Sequence, residues 1–230
     1  MYVPKKILKF LIDSKLVIWI DPGKVDYHVG SKRPNIIKIK NKLSRLEHIG
    51  KSKAARRYIL RFYKAVESFS IASTDYQEMR LIEGDQKFHK VQDIVANRDN
   101  FTDSVWYNSL LQDIATNGVA KHKKIYMRDK HDVEMFMSSY VVELIDSLER
   151  DGYDMTKGKQ CGSALIGADG ALHKSGSGDH RFYCARVLGV SPIPVAISGV
   201  HEDWFAKNVG SPFNIRGLKA ALAEIEKKYS

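Results

Sequence analysis

The sequence predicts an α+β fold in which a mainly helical N-terminal part is joined to a compact C-terminal region of strands around one helix. Up to about residue 150, most apolar residues recur at the three- and four-residue spacing of amphipathic helices. After Gly158 the pattern changes to short strand-like runs that are separated by glycine-rich turns. We therefore divide the chain into a helical region (1–150), an α/β core (151–205) and a terminal helical region (206–230).

Composition limits the classes of protein to which the chain can belong. The 230 residues are 43% hydrophobic, which is enough to build a buried core, and no apolar run approaches the roughly 20 residues that span a bilayer. Lysines interrupt the first apolar residues, so no signal peptide is expected. The two cysteines, Cys161 and Cys184, form no disulfide framework and no metal-binding spacing, which favours a cytoplasmic protein. The net charge of +10 favours phosphate-rich partners such as nucleotides, nucleic acid or an anionic membrane surface.

The first 40 residues predict a short helix followed by strands. Pro4 to Ser14 has the pattern of an amphipathic helix. Leu16 to Ile20 is a β-branched apolar run closed by the turn sequence Asp21-Pro22-Gly23, and Val25 to Val29 can supply a second strand, so a hairpin is expected. The run Ile36 to Lys40 fits either a strand or the entry to a helix.

Three longer helices are predicted in the rest of the helical region (1–150). Lys51 to Phe69 is amphipathic, with a basic face between Lys53 and Lys64 that includes Arg56, Arg57 and Arg61. Such a face is either only solvated or a contact for nucleic acid. Further helices are expected at Val105 to Thr116 and at Val133 to Arg150, and Gly152 ends the second of them.

The C-terminal third alternates strands, turns and helices. The expected order is a strand, a hairpin turn, a returning strand, a glycine- and serine-rich loop, a helix that Asp179 or a neighbour caps, a strand and a last helix. These segments are Cys161 to Ile166, Ala168 to Gly170, Ala171 to Lys174, Ser175 to Gly178, Asp179 to Leu188, Ile193 to Ile197 and Leu218 to Lys228. Because Pro194 cannot donate a ladder hydrogen bond, its strand should have an edge side or a bulge there.

The glycine-rich loop predicts an anion site. Gly176 and Gly178 supply flexible backbone to a helix start whose first N–H groups have no partners within the helix. The helix-end charge contributes about 0.3–1 kcal/mol, whereas a charge-assisted hydrogen bond from Arg181 contributes roughly 1.5–3 kcal/mol. Arg181 is therefore the main expected ligand. The alternative is that Ser177 or Asp179 only caps the helix and that Arg181 is solvated.

A longer stretch resembles the core of the ParB/sulfiredoxin superfamily. The resemblance rests on the runs Ile166-Gly-Ala-Asp-Gly-Ala-Leu, Ser177-Gly-Asp-His-Arg-Phe-Tyr-Cys-Ala-Arg-Val-Leu-Gly-Val and Ile193-Pro-Val, within Cys161 to Trp204. It implies a ParB/sulfiredoxin-like α/β core with a mainly helical N-terminal part. Gly178 and Arg181 occupy the positions of the family's G-x-x-R loop, which holds nucleotide phosphate.

The wider segment also resembles a group of ParB-like proteins with a G-x-H-R loop and a later R-H-x-x-W motif. His201 and Trp204 match that second motif, but Val200 stands where an arginine is expected. Two earlier segments, Glu83-Gly84-Asp85 and Arg150-Asp151-Gly152-Tyr153, extend the likeness. Sulfiredoxin activity is not expected, because Asp179 replaces the cysteine of that branch. DNA partitioning is not expected either, because only about 25 residues follow Trp204.

The resemblance implies binding of a nucleotide, with ATP or CTP as candidates, or of another phosphorylated ligand. Phosphoryl transfer or NTP hydrolysis with Mg²⁺ is the chemistry it implies. Candidate catalytic residues are Asp179, His180 and His201, and no metal-ligand set is predicted. Candidate ligand-binding residues are Ser177, Gly178, Arg181 and Trp204. The rival classes are a non-catalytic nucleic-acid-binding module, which would use the Lys53–Lys64 face, and an interaction protein that keeps the fold.

Overall fold

The computed structural model describes residues 4, 8, 16–29, 57–59, 61, 67–76, 78–156, 161–210 and 212–230. Within these residues the chain is mixed α/β, with seven α-helices, a mixed seven-stranded sheet and a separate two-stranded sheet. No helix among the described residues is long and apolar enough to cross a bilayer.

The main sheet draws its strands from both ends of the chain. Its order is β1-β9-β7-β8-β2-β4, and β3 pairs with the C-terminal end of β9. The pairs β1/β9, β7/β8 and β2/β4 are antiparallel, whereas β7/β9, β2/β8 and β3/β9 are parallel. The strands are β1 Val17–Ile20, β2 Tyr27–His28, β3 Ser70–Ile71, β4 Arg80–Leu81, β5 Ala120–His122, β6 Ile125–Met127, β7 Gly162–Ile166, β8 Leu172–Ser175 and β9 Ile193–His201. Strands β5 and β6 form the separate hairpin.

The helices occupy most of the middle of the chain and the end. They are α1 Gln86–Ala96, α2 Val105–Asn117, α3 Lys130–Phe136, α4 Glu143–Asp151, α5 Asp179–Leu188, α6 Glu202–Asn208 and α7 Ile215–Tyr229. A π-helical segment, Met137–Val142, joins α3 to α4, so the helix expected from Val133 to Arg150 is one rod with a widened middle.

The elements predicted in the C-terminal third are confirmed in their order, and the structure adds α6 between the last strand and the last helix. Strands β7 and β8 pair antiparallel across the expected turn, and Gly189 ends α5 with a φ of 68°. Gly152 ends α4 with a φ of 70°, and α2 and α7 cover the predicted helical segments. The pairing of β7 with β9 begins at Val195, so Pro194 has a strand only on its β1 side, as expected for a proline.

The expected hairpin between Leu16 and Val29 is wrong. Strand β1 lies beside β9, whereas β2 lies between β8 and β4. After β1 the chain makes a 3₁₀ turn at Pro22–Lys24, and the Arg186 guanidinium of α5 donates to the carbonyls of Pro22, Gly23 and Val25. These long-range bonds redirect the chain, which a local turn sequence cannot reveal.

Several predicted segments fall largely outside the described residues. They are the helix Pro4 to Ser14, of which Leu8 is helical and buried, the run Ile36 to Lys40, and the helix Lys51 to Phe69. Of the last, residues 57–59 and 61 are helical, so Arg57 and Arg61 of the basic face are exposed helical residues. Lys53, Arg56 and Lys64 lie outside the described residues.

One hydrophobic core connects all three regions into which the sequence was divided, since it extends from Leu8 to Tyr229. Helix α7 lies along the outer edge of β1. There the backbone N–H of Trp19 donates to the Glu226 carboxylate over 2.7 Å, and the N–H of Asp21 donates to the carbonyl of Tyr229 over 2.6 Å.

Candidate functional site

The residue that caps the start of α5 is Gly178, a neighbour of Asp179, so this helix has no side-chain cap. Gly178 is the N-cap residue, in the left-handed region with φ 81° and ψ 22°, and no side chain accepts from the first turn. Asp179 is instead the first helical residue. Five other described helices begin with a side-chain acceptor: Asp85, Ser104, Asp129, His201 and Asn214.

Gly178 is also required by a close backbone approach. A Cβ atom at this position would lie 2.7 Å from the Cα of Gly162 and 3.0 Å from its nitrogen, at the start of β7. Any side chain would therefore push the loop away from the sheet.

The loop before α5 surrounds an internal cation, Lys174. Its side chain is 1% exposed, and its ammonium donates to the carbonyls of Ser175 and Ser177 over 3.1 and 3.0 Å. It also donates to Oδ1 of Asp179 over 2.7 Å. Sequence reasoning missed Lys174, although the alternation of β8 places it on the same face as buried Leu172.

Asp179 is held between two lysines. Its Oδ2 accepts from Lys87 at the start of α1 over 3.0 Å, while Lys174 holds Oδ1. Burial raises the pKa of Asp179, but the two ammonium groups outweigh this effect and lower it. The carboxylate is therefore ionised and both oxygens are engaged, which does not suit a general base.

His180 packs in a cluster of rings. Its ring centre lies 4.8 Å from that of Trp106 and 5.1 Å from that of His122, which in turn contacts Phe136 and Tyr140. Burial above all, together with the charges of His122 and Lys123, lowers the pKa of His180 to about 4. His180 is neutral at neutral pH and supplies no charge to a ligand.

Arg181 points toward the end of α4. The carbon of its guanidinium lies 5.9 Å from the centre of the Tyr153 ring. It lines a small pocket between the two helices, together with Leu144, Ser147, Leu148, Gly152, Tyr153 and Asp154. The segment Arg150 to Tyr153 that the resemblance singled out thus contacts the first turn of α5.

The other singled-out segment, Glu83 to Asp85, also contacts α5. Glu83 forms an ion pair with Arg186, and Oδ2 of Asp85 accepts from the Tyr183 hydroxyl over 2.8 Å. Both early segments therefore support the helix that follows the loop.

His201 and Trp204 lie away from this site. Gly162 lies beside the loop and Ile166 lies opposite Val200, so the two motifs are at opposite ends of β7, roughly 13 Å apart. His201 caps α6, because its Nδ1 accepts from the N–H of Asp203 over 3.2 Å. Trp204 is 4% exposed and packs against the turn at Gly170. The structure does not bring these two residues together with Ser177, Gly178, Asp179, His180 and Arg181.

Comparisons of the chain with protein-family models, curated proteins and solved structures find no match. Among the described residues, no group of three or more His, Cys, Asp or Glu side chains could hold a metal ion. The resemblance to the ParB/sulfiredoxin superfamily thus stays a prediction that rests on the quoted motifs.

Proposed function

We propose that the chain binds a nucleotide or another phosphorylated ligand at the start of α5. The observation that carries the proposal is that α5 begins at Gly178 without a side-chain cap. Five other described helices have a side-chain acceptor at their N-cap position. The first N–H groups of a helix need acceptors from outside the helix, and a phosphate group supplies several.

The charges around the helix start favour an anion. Lys174 and Lys87 neutralise Asp179, and the Lys87 side chain is 64% exposed, so it can move from the carboxylate to a ligand. Arg181 is on the first turn of the same helix and borders the pocket beside it. We propose that the phosphate lies at the helix start and that Arg181 contacts the ligand from the pocket side.

Binding is better supported than phosphoryl transfer. Of the three candidate catalytic residues, Asp179 has both oxygens engaged, His180 is neutral and packed among rings, and His201 is at the other end of the sheet. These residues also do not fit a resident Mg²⁺, because the one carboxylate at the helix start is shared by two ammonium groups. We therefore propose ATP, CTP or a simpler phosphate compound as the ligand, without a bound metal.

Calorimetry with ATP, CTP, pyrophosphate and inorganic phosphate tests the proposal. Arg181→Ala should weaken binding of the ligand found by roughly tenfold or more, because it removes a charge-assisted hydrogen bond. Arg216→Ala, which removes an exposed arginine of α7, is the matched control and should leave the affinity unchanged. Absence of binding by all four compounds, or equal affinity of the Arg181→Ala protein, would contradict the proposal.

A further inference from the structure

The β5–β6 hairpin carries an unusual density of positive charge. Half of residues 121–130 are lysine or arginine, whereas the whole chain has 37 such residues in 230. The cationic residues of this segment are Lys121, Lys123, Lys124, Arg128 and Lys130, and all of them are exposed. The hairpin is not part of the main sheet, so Lys121, Lys123 and Lys124 are presented on a separate two-stranded ribbon, while Arg128 and Lys130 follow directly after it.

The two faces of the hairpin differ. Ala120 and Met127 are paired and buried against the helices, whereas Lys121 and Tyr126 are paired on the outer face. Tyr126 is 55% exposed, and the ammonium of Lys121 lies 4.8 Å from its ring centre. The outer face therefore combines an aromatic ring with adjacent positive charge.

Most of these charges have no ion-pair partner among the described residues. Among the described residues, Lys121, Lys124 and Arg128 form no ion pair, while Lys130 has a partner 3.5 Å away in Glu134. The nearby carboxylates of Asp129 and Asp132 accept from backbone N–H groups at the start of α3. Solubility alone does not explain an exposed tyrosine beside cations that form no ion pair.

We propose that the outer face of this hairpin binds single-stranded nucleic acid. Unpaired cations attract the phosphate backbone, and an exposed aromatic ring gives an unpaired base a surface on which to stack. A base in a duplex is already stacked, so the ring favours a single strand. This surface is separate from the basic face Lys53–Lys64 and from the phosphate site at α5, and the proposal does not depend on either.

Fluorescence anisotropy with a labelled oligothymidylate, and with a duplex of the same length, tests the proposal on the full chain. Affinity is measured from about 50 to 200 mM salt. The double variant Lys121→Gln/Lys124→Gln should reduce the steepness of the salt dependence by about 1.4, or 0.7 for each lost phosphate contact. Tyr126→Ala should weaken binding of the single strand about fivefold or more and leave the salt dependence unchanged.

Lys227→Gln/Lys228→Gln is the matched control, because it removes two exposed charges from α7, which packs against β1 instead of the hairpin. It should leave both the affinity and the salt dependence nearly unchanged. The proposal is overturned if no strand binds at low salt, or if the control reduces the salt dependence as much as the hairpin variant. It also fails if the duplex binds more tightly than the strand, or if binding is confined to vesicles that contain phosphatidylserine.

Discussion

Lys174 and Asp179 form an ion pair at the centre of the loop that precedes α5. The Lys174 side chain is 1% exposed and that of Asp179 is 25% exposed, so replacing Asp179 would leave a buried ammonium without its carboxylate. In a fully buried pair such a loss typically costs about 3–5 kcal/mol. Because the Lys174 ammonium also binds two loop carbonyls, its three hydrogens are all used, and the loop is fixed from inside. The carboxylate of Asp179 therefore stabilises the folded loop through Lys174.

His180→Phe should reduce the pH dependence of stability. Burial lowers the pKa of His180 to about 4, against about 6.5 in the unfolded chain. Between these values the unfolded chain binds a proton that the folded chain does not, so the free energy of unfolding falls as the pH falls. The contribution of this residue is up to about 3 kcal/mol, and it is largely lost by pH 4.

Urea unfolding at about pH 7 and about pH 4.5 measures this effect. The phenylalanine variant keeps a ring in the cluster, so it should fold and lose less stability on acidification than the parent protein. His131→Gln, at an exposed histidine, is the control and should behave like the parent. Equal losses in the phenylalanine variant and the parent would contradict the assignment.

At this scale the sequence predicts backbone features better than partners. The glycine loop and the helix start at Asp179 follow from local preferences of Gly178 and its neighbours. The lysine that binds Oδ2 of Asp179, Lys87, is 92 positions away in the sequence. Only the fold brings such groups together, so the ion pair between Lys87 and Asp179 was not predictable.

Among the elements, α5 has a glycine in the left-handed region at each end. Gly178 has a φ of 81° and contacts the Gly162 backbone, whereas Gly189 has a φ of 68° and open space around it. The two positions share a backbone conformation and differ in their surroundings. Comparing alanine variants at the two positions therefore separates the energetic cost of crowding between loop and sheet from the cost of the left-handed backbone conformation.

Gly178→Ala should destabilise the protein more than Gly189→Ala does. The left-handed conformation costs a residue with a Cβ atom roughly 1–2 kcal/mol, and this cost is common to both variants. Gly178→Ala adds a clash with Gly162, so we expect a total loss above about 3 kcal/mol. Chemical denaturation compares the two variants, and equal losses would show that the loop moves freely away from β7.

The rod formed by α3, the π-helical segment and α4 shows why element boundaries are easier to predict than their internal geometry. Its buried residues Met137, Val141 and Ile145 follow one another at intervals of four. In a regular α-helix such a series drifts around the axis, whereas a π-helical segment turns less per residue and offsets part of that drift. The sequence periodicity is compatible with either form.

At the scale of the whole molecule, the fold depends on pairing between distant parts of the chain. Strand β1 covers one side of β9 and β2 covers one side of β8, although more than 140 residues separate the partners. The local sequence pattern changes after Gly158, but the sheet and the core continue across this point. Strand pairing of this kind has no local sequence signal, so the neighbours of β1 and β2 were predicted incorrectly. Most C-terminal elements follow from local patterns and were predicted correctly.

A fragment of residues 151–230 should therefore not fold alone. It lacks β1 and β2, and it leaves Arg186 and Tyr183 without the carbonyls and carboxylates that they bind in the full chain. Its amide NMR spectrum should show little dispersion, and its thermal unfolding should not be cooperative. A well-dispersed spectrum with a cooperative transition would mean that this region is an independent domain; the full chain is the control.

The position of α7 along β1 has a consequence for association between molecules. An uncovered edge strand presents N–H and C=O groups that can pair with the edge of another molecule and start aggregation. Here Glu226 and Tyr229 accept the N–H groups of Trp19 and Asp21, so this edge is closed by the protein's own last helix. Helix α7 thus occupies the edge at which a strand of another molecule would pair.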